Sequence, residues 1–107
     1  MPRQFDVYRN PSVKKNRLWP FYLIIQNDYF DDLTSRIVVP LVSERDIHLN
    51  QKRITPQVVI HKEAYYVFTP AITFLETKKI NPSNFVCSLA SSGNEIISAL
   101  YAIITNT

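Results

Sequence analysis

The sequence predicts a mainly β domain: a compact antiparallel barrel or bent sheet, closed by one C-terminal α-helix. Short runs rich in β-branched and aromatic residues, roughly five to seven of them, recur between turn signals. Helical periodicity appears in one segment, at the end of the chain. A single glycine against seven prolines leaves chain reversal to Pro, Asn and Asp. The same scarcity argues against glycine-built phosphate loops, and neither G-x-x-x-x-G-K nor G-x-G-x-x-G is present.

Residues 4–8 alternate, with Phe5 and Val7 on one face, which predicts a half-buried edge or meander strand. Residues 9–17 are a polar, basic loop. Residues 19–26 are the next strand: Phe21, Leu23 and Ile25 point one way, Tyr22, Ile24 and Gln26 the other. Apolar groups on both faces predict a central position. Residues 27–32 form an Asn- and Asp-rich turn that carries Tyr29 and Phe30. Residues 36–41 read as a short β-branched strand closed by Pro40, which has no N–H for a ladder. Residues 42–54 read as a polar loop or a single helical turn. Residues 57–60 and 65–68 are strands joined by a hairpin loop over 61–64, and Pro70 ends the second. Residues 72–80 give one or two further strands, stopped by Asn81-Pro82, and a loop leads to the helix.

The helix spans residues 94–107. Ile96, Ile97, Leu100, Ile103 and Ile104 recur at its period, so one face is built for burial. Ser92 and Glu95 make an S-x-x-E pair, the pattern of a capping box. Chain ends fray unless tied down, so this helix docks on its own sheet, on a second copy, or on a partner.

The 107 residues fit one domain over 1–107, and 46% apolar content supports one modest core. A single cysteine, Cys87, makes no internal disulfide, which predicts a reducing compartment. The first residues lack the apolar stretch of a signal peptide, and no apolar run approaches the roughly 18 residues of a membrane span. A cytoplasmic protein with no membrane contact is the expectation. The net charge of +3 is mild for a nucleic-acid binder and suits an acidic protein segment.

His48 and His61 lie in polar contexts without a paired ligand, so no metal site and no cofactor is expected. Cys87 reads as a small buried hydrophobe, with a Cys–His nucleophile pair as the alternative. Lys14, Lys15 and Arg17 precede Trp19. This is either a solvated loop beside a core tryptophan or a basic, aromatic surface for a single strand or an acidic peptide. Tyr29 and Phe30 are either interface anchors or rings folded back over the barrel end. Arg36 with Thr34 and Ser35 gives a weak phosphate-cleaving pattern, with no compact acid–base–cation cluster to complete it.

Several stretches together resemble the CcdB-type toxins of toxin–antitoxin modules. They are the Q-F-x-V-Y start at 4–8, the Q-x-D-x(7)-R-x-V-x-P-L segment from Gln26 to Leu41, residues 58–60 and 68–69, and Asn-Glu-Ile-Ile at 94–97 in the closing helix. The similarity runs through the whole chain in the same order. It implies a small SH3-like antiparallel barrel with a C-terminal helix, shared with MazF-type ribonucleases. It implies a homodimer with the two terminal helices brought together, here through Ile96, Ile97, Leu100 and Ile103. It also implies a non-enzymatic toxin that enters the A subunit of bacterial DNA gyrase and traps it on cleaved DNA. An acidic CcdA-type antitoxin would neutralise it, with Lys14, Lys15 and Arg17 as the docking charges, and operator DNA would be bound only by the toxin–antitoxin complex. A diverged target or a ribonuclease on the same barrel is the alternative.

By the same resemblance, gyrase contacts fall on Tyr29, Phe30, Tyr101, Ile104, Thr105, Asn106 and Thr107. Tyr101 corresponds to a polar contact residue of the family. The family ends in an aromatic or small residue followed by Gly-Ile, where this chain has Thr105-Asn106-Thr107. The terminal Ile-to-Thr change removes apolar burial of order 1–2 kcal/mol per subunit.

Overall fold

The computed structural model describes residues 2–12, 14–46 and 51–106. Within them the chain forms β1 (Asp6–Arg9), β2 (Phe21–Ile24), β3 (Ser35–Ser43), β4 (Gln57–Ile60), β5 (Glu63–Val67), β6 (Thr73–Glu76), β7 (Phe85–Ser88) and α1 (Gly93–Thr105). The strands make one 7-stranded sheet in the order β4-β5-β3-β2-β1-β7, with β6 added beside β3. Every pairing is antiparallel. The sheet curls into a half barrel with a single C-terminal helix, the mainly β class expected from the sequence.

Both sheet faces are covered, as the two-sided pattern of the second strand required. On one face Val7, Leu23, Val39, Leu41 and Val67 meet Ile96 and Leu100 of α1. On the other, Tyr8, Tyr22, Ile24 and Val38 are capped by Ile80 and Leu75. β2 sits between β1 and β3, so it is central.

Five local expectations need correction. The first strand starts at Asp6, because Phe5 has φ 71° and leaves the extended line. Its backbone still links the sheet: the Phe5 N–H donates to Ile24 O at 2.6 Å, and its carbonyl accepts from Leu89 N–H at 2.8 Å. Pro40 does not close its strand, which runs nine residues to Ser43. On one side β3 pairs with β6 up to Val38 and with β5 from Leu41 onward. Pro40 falls in the gap between those partners, so its missing N–H leaves no ladder bond unfilled. Its carbonyl accepts from Phe68 N–H at 3.0 Å.

The hairpin loop is two residues, not four. His61 and Lys62 have φ of 50° and 69°, the positive pair of a type I′ turn, which matches the twist of the flanking strands. The stretch before the helix was expected as loop and contains β7, which pairs with β1 with a register slip between Val7 and Tyr8.

The helix also starts differently. Ser92 makes no side-chain cap, because a 3-10 turn (Ala90–Ser92) runs into α1 and holds Ser92 at φ −102° and ψ 10°. A capping side chain needs the extended conformation that this turn denies it. At the junction, a Cβ on Gly93 would stand 2.7 Å from the Phe5 ring, so a larger residue there would require that ring to shift. The far end of α1 closes on Asn106 in the left-handed region (φ 58°, ψ 33°), whose N–H donates to Ala102 O at 2.7 Å.

Candidate functional site

The turn between β2 and β3 is braced from every side by motif residues. Asn27 Oδ1 accepts from the Tyr29 N–H at 2.8 Å and starts a 3-10 turn over Asp28–Phe30. The Asp28 carboxylate accepts from the Gln4 N–H at 2.7 Å and lies 3.2 Å from the Arg3 guanidinium. Buried Gln26 donates to Phe30 O at 3.0 Å and accepts from the Ile37 N–H at 3.2 Å. Arg36, 2% exposed, donates through Nη1 to Leu33 O (2.7 Å), Ser35 O (3.0 Å) and Thr77 Oγ1 (3.3 Å), and through Nη2 to Asp31 O (2.8 Å).

Gln4, Gln26, Asp28 and Arg36 are thus the frame of the turn. The sequence offered them only as pieces of a motif. Their bonds join the start of the chain to residues more than twenty positions away, and a periodic pattern carries no such information. The guanidinium of Arg36 is spent on protein acceptors, which removes it as a clamp for a scissile phosphate beside Thr34 and Ser35.

What the frame presents is a pair of aromatic rings. Tyr29 is 83% exposed and Phe30 49%, their centroids 5.1 Å apart and nearly perpendicular. The rings point outward and do not fold over the sheet.

The helix divides its apolar residues between two faces. Ile96 and Leu100 lie in the chain's own core with Ala99 and Ala102. In the single chain the sheet already covers them, so little of either side chain is left for a second copy. Ile97, Tyr101 and Ile104, at i, i+4 and i+7, form an outward stripe, with half-exposed Ile103 beside it. Thr105 turns its hydroxyl back onto Tyr101 O at 2.7 Å. Thr107 lies outside the described residues. A cavity of about 430 Å³ brings Asn27 of the turn next to Gly93, Asn94 and Ile97. The aromatic turn therefore neighbours the start of α1. Ile104 lies roughly 10 Å further along the axis than Ile97, at the other end of the stripe.

Lys14, Lys15 and Arg17 are exposed on the loop between β1 and β2. Together with Leu18, half-buried Trp19 and Asp46 they line a cavity of about 540 Å³. Asn10 fixes the loop at its base. Its N–H donates to Pro20 O, its side-chain amide to Trp19 O at 2.8 Å, and its carbonyl oxygen accepts from the Ser12 N–H at 2.9 Å. Among the described residues none of the three cations makes an ion pair.

Cys87 is half-buried on β7. Burial, with a smaller contribution from Asp6, pushes its thiol pKa up. His61 stands at the β4–β5 turn, at the opposite end of the strand order from β7, and His48 lies outside the described residues. No group of three or more His, Cys, Asp or Glu able to hold a metal occurs among the described residues. Nor is any helix there long and apolar enough to cross a membrane.

The family model described as CcdB protein matches residues 4–106. The chain belongs to the CcdB family. No match was found among the curated proteins. CcdB-family membership makes this chain the toxin of a toxin–antitoxin module, with an antitoxin as its partner. In this CcdB-family chain the motif that runs from Gln26 to Leu41 builds the support of the Tyr29–Phe30 turn.

Proposed function

We propose that this toxin acts by binding and not by catalysis. It works as a homodimer in the bacterial cytoplasm, enters the A subunit of DNA gyrase, and holds that enzyme on cleaved DNA. A CcdA-type antitoxin neutralises it through an acidic segment that meets Lys14, Lys15 and Arg17. Operator DNA is bound only by the toxin–antitoxin complex.

One observation carries this reading: an exposed aromatic pair on a turn that at least five side chains hold rigid. Rings left in water contribute little to folding, whereas rigid aromatics are the side chains that dominate binding energy at interfaces. The outward stripe of Ile97, Tyr101 and Ile104 supports a second contact surface. Dimerisation draws support from the sheet. Ile37 and Phe74 are a cross-strand pair on the face that carries α1, yet they are 45% and 63% exposed. Ile37 and Phe74, with Ile97 and Ile103, offer the apolar area that a second copy would cover.

The tail favours a second reading, in which the target has changed. Asn106 and Thr107 stand where the family resemblance places Gly-Ile. The test is a titration of the gyrase A dimerisation fragment with this chain and with the triple variant Thr105→Trp, Asn106→Gly, Thr107→Ile. The gyrase reading expects both to bind, the variant at least tenfold tighter, about 1.4 kcal/mol. If neither binds, the target is something other than gyrase.

A further inference from the structure

Asp28, the residue before Tyr29, commits both carboxylate oxygens to two consecutive residues near the start of the chain. Oδ1 accepts from the Gln4 N–H at 2.7 Å, and Oδ2 lies 3.2 Å from Arg3 Nη2. Two more bonds run alongside. The Gln4 side-chain amide donates to Ile25 O at 3.1 Å, and the Phe5 N–H to Ile24 O at 2.6 Å. Residues 3–6 are also closed on themselves: the Arg3 N–H donates to Asp6 Oδ2 and the Asp6 N–H to Arg3 O, both at 3.0 Å. At Phe5 the segment is anchored. Its carbonyl accepts from the Leu89 N–H at 2.8 Å, and its ring packs on the core beneath α1, against Gly93.

We infer that residues 3–5 are a positioning strap, which through Asp28 holds the Tyr29–Phe30 pair in the orientation that meets the target. Asp28 is the positioning residue, and Arg3 strengthens its hold. The identity of the target rests on the gyrase reading, whereas the hold on the turn rests on the strap's own bonds.

The Arg3 and Asp28 side chains are 74% and 39% exposed, so their ion pair adds little to the fold as a whole. Its effect is local. Gln26 and Arg36 brace the turn at Phe30 O and Asp31 O, its far end. Among the described residues the strap alone holds the Asp28 side chain, at the near end. Without that hold the rings would have to be immobilised on association, and that cost weakens binding.

Chymotrypsin cuts after Tyr29 only when the turn opens, so the rate of that cut reports local opening. The experiment uses the full-length chain under native conditions and follows the Tyr29–Phe30 cut by mass spectrometry. Asp28→Ala should raise the rate at least about tenfold, by removing the bond to Gln4 and the pair with Arg3 together. Arg3→Ala should raise it about threefold, and so should Asp28→Asn, which keeps an acceptor for the Gln4 N–H. The double variant of Arg3→Ala and Asp28→Asn should match either single one, because both remove the same ion pair. Val58→Ala serves as the comparison: it thins the core at the other edge of the sheet. It should lower Tm at least as far as Asp28→Ala does, yet leave the cut within about twofold of wild type. Binding of the gyrase A dimerisation fragment should weaken at least about fivefold in Asp28→Ala and less than about twofold in Val58→Ala. An unchanged cutting rate in Asp28→Ala, an equal rise in Val58→Ala, or wild-type affinity in Asp28→Ala would each overturn the proposal. If the wild type does not bind the fragment, the gyrase reading fails, and the cutting rates alone decide whether the strap holds the turn.

Discussion

Arg36 carries a charge into the interior without an ion-pair partner among the described residues, and three backbone carbonyls with one hydroxyl take its place. Removing it strands those acceptors, each costly to bury unpaired. Arg36→Met should therefore lower stability by about 2–4 kcal/mol in chemical denaturation, although methionine fills much of the volume. Arg36→Lys should recover only part of the loss, because one ammonium cannot span Asp31 and Leu33 as a planar fork does. Cys87 provides a second test at this scale. Its thiol is pushed above the ordinary value by burial first and by Asp6 second, so its neutral form persists to higher pH in the folded chain. Because the folded pKa is the higher one, the linked stability is intact below the unfolded pKa and declines as pH rises through the folded pKa. At pH 8, labelling by a disulfide reagent should be slower in the native protein than in urea. Equal rates would mean that the thiol is free. Its chemical character as a small hydrophobe was legible from its neighbours Val86 and Leu89. The role of Arg36 was not, since a charged residue between strand and turn ordinarily reads as surface.

At the scale of elements, the sequence was most legible where alternation or helical period dominates: β2, β4 and α1. It was least legible where a partner strand decides the outcome. Pro40 reads as a stop, yet β3 passes through it because two different strands share one of its edges. β7 is four residues, and the 3-10 turn (Pro82–Asn84) before it gives no strand signal. The β4–β5 turn hid for a chemical reason. A type I′ turn favours Asn-Gly, and His61-Lys62 accepts positive φ at both positions instead. Replacing the pair by Asn-Gly should relieve that strain. Stability should rise by about 1 kcal/mol, a Tm increase of roughly 4 °C. An unchanged or lower Tm would show that His61 or Lys62 makes compensating contacts. The candidate site was legible to the same uneven degree. The aromatic pair and the basic loop stood out by composition, whereas the inward fate of Ile96 and Leu100 required knowing where the sheet lies.

For the whole molecule, the curled sheet and its helix leave two kinds of unpaired surface: apolar, at Ile37–Phe74 and the outer stripe of α1, and basic, around Lys15. The apolar surface predicts self-association. Sedimentation at micromolar concentration should give twice the 12.5 kDa chain mass, and Phe74→Glu should shift the equilibrium toward monomer by placing a charge where a partner would bury it. A stable monomer in the wild type would remove the dimer. The aromatic turn leads to the central claim, that a CcdB-family toxin uses the braced Tyr29–Phe30 pair to seize its target. The most direct measurement is calorimetric titration of the gyrase A dimerisation fragment with wild type and with the double variant Tyr29→Ser, Phe30→Ser, after matched Tm values show that both are folded. The account predicts saturable binding of the wild type and a loss of at least about tenfold, 1.4 kcal/mol or more, in the variant. Equal affinities for the two proteins, or no binding of the wild type, would contradict it.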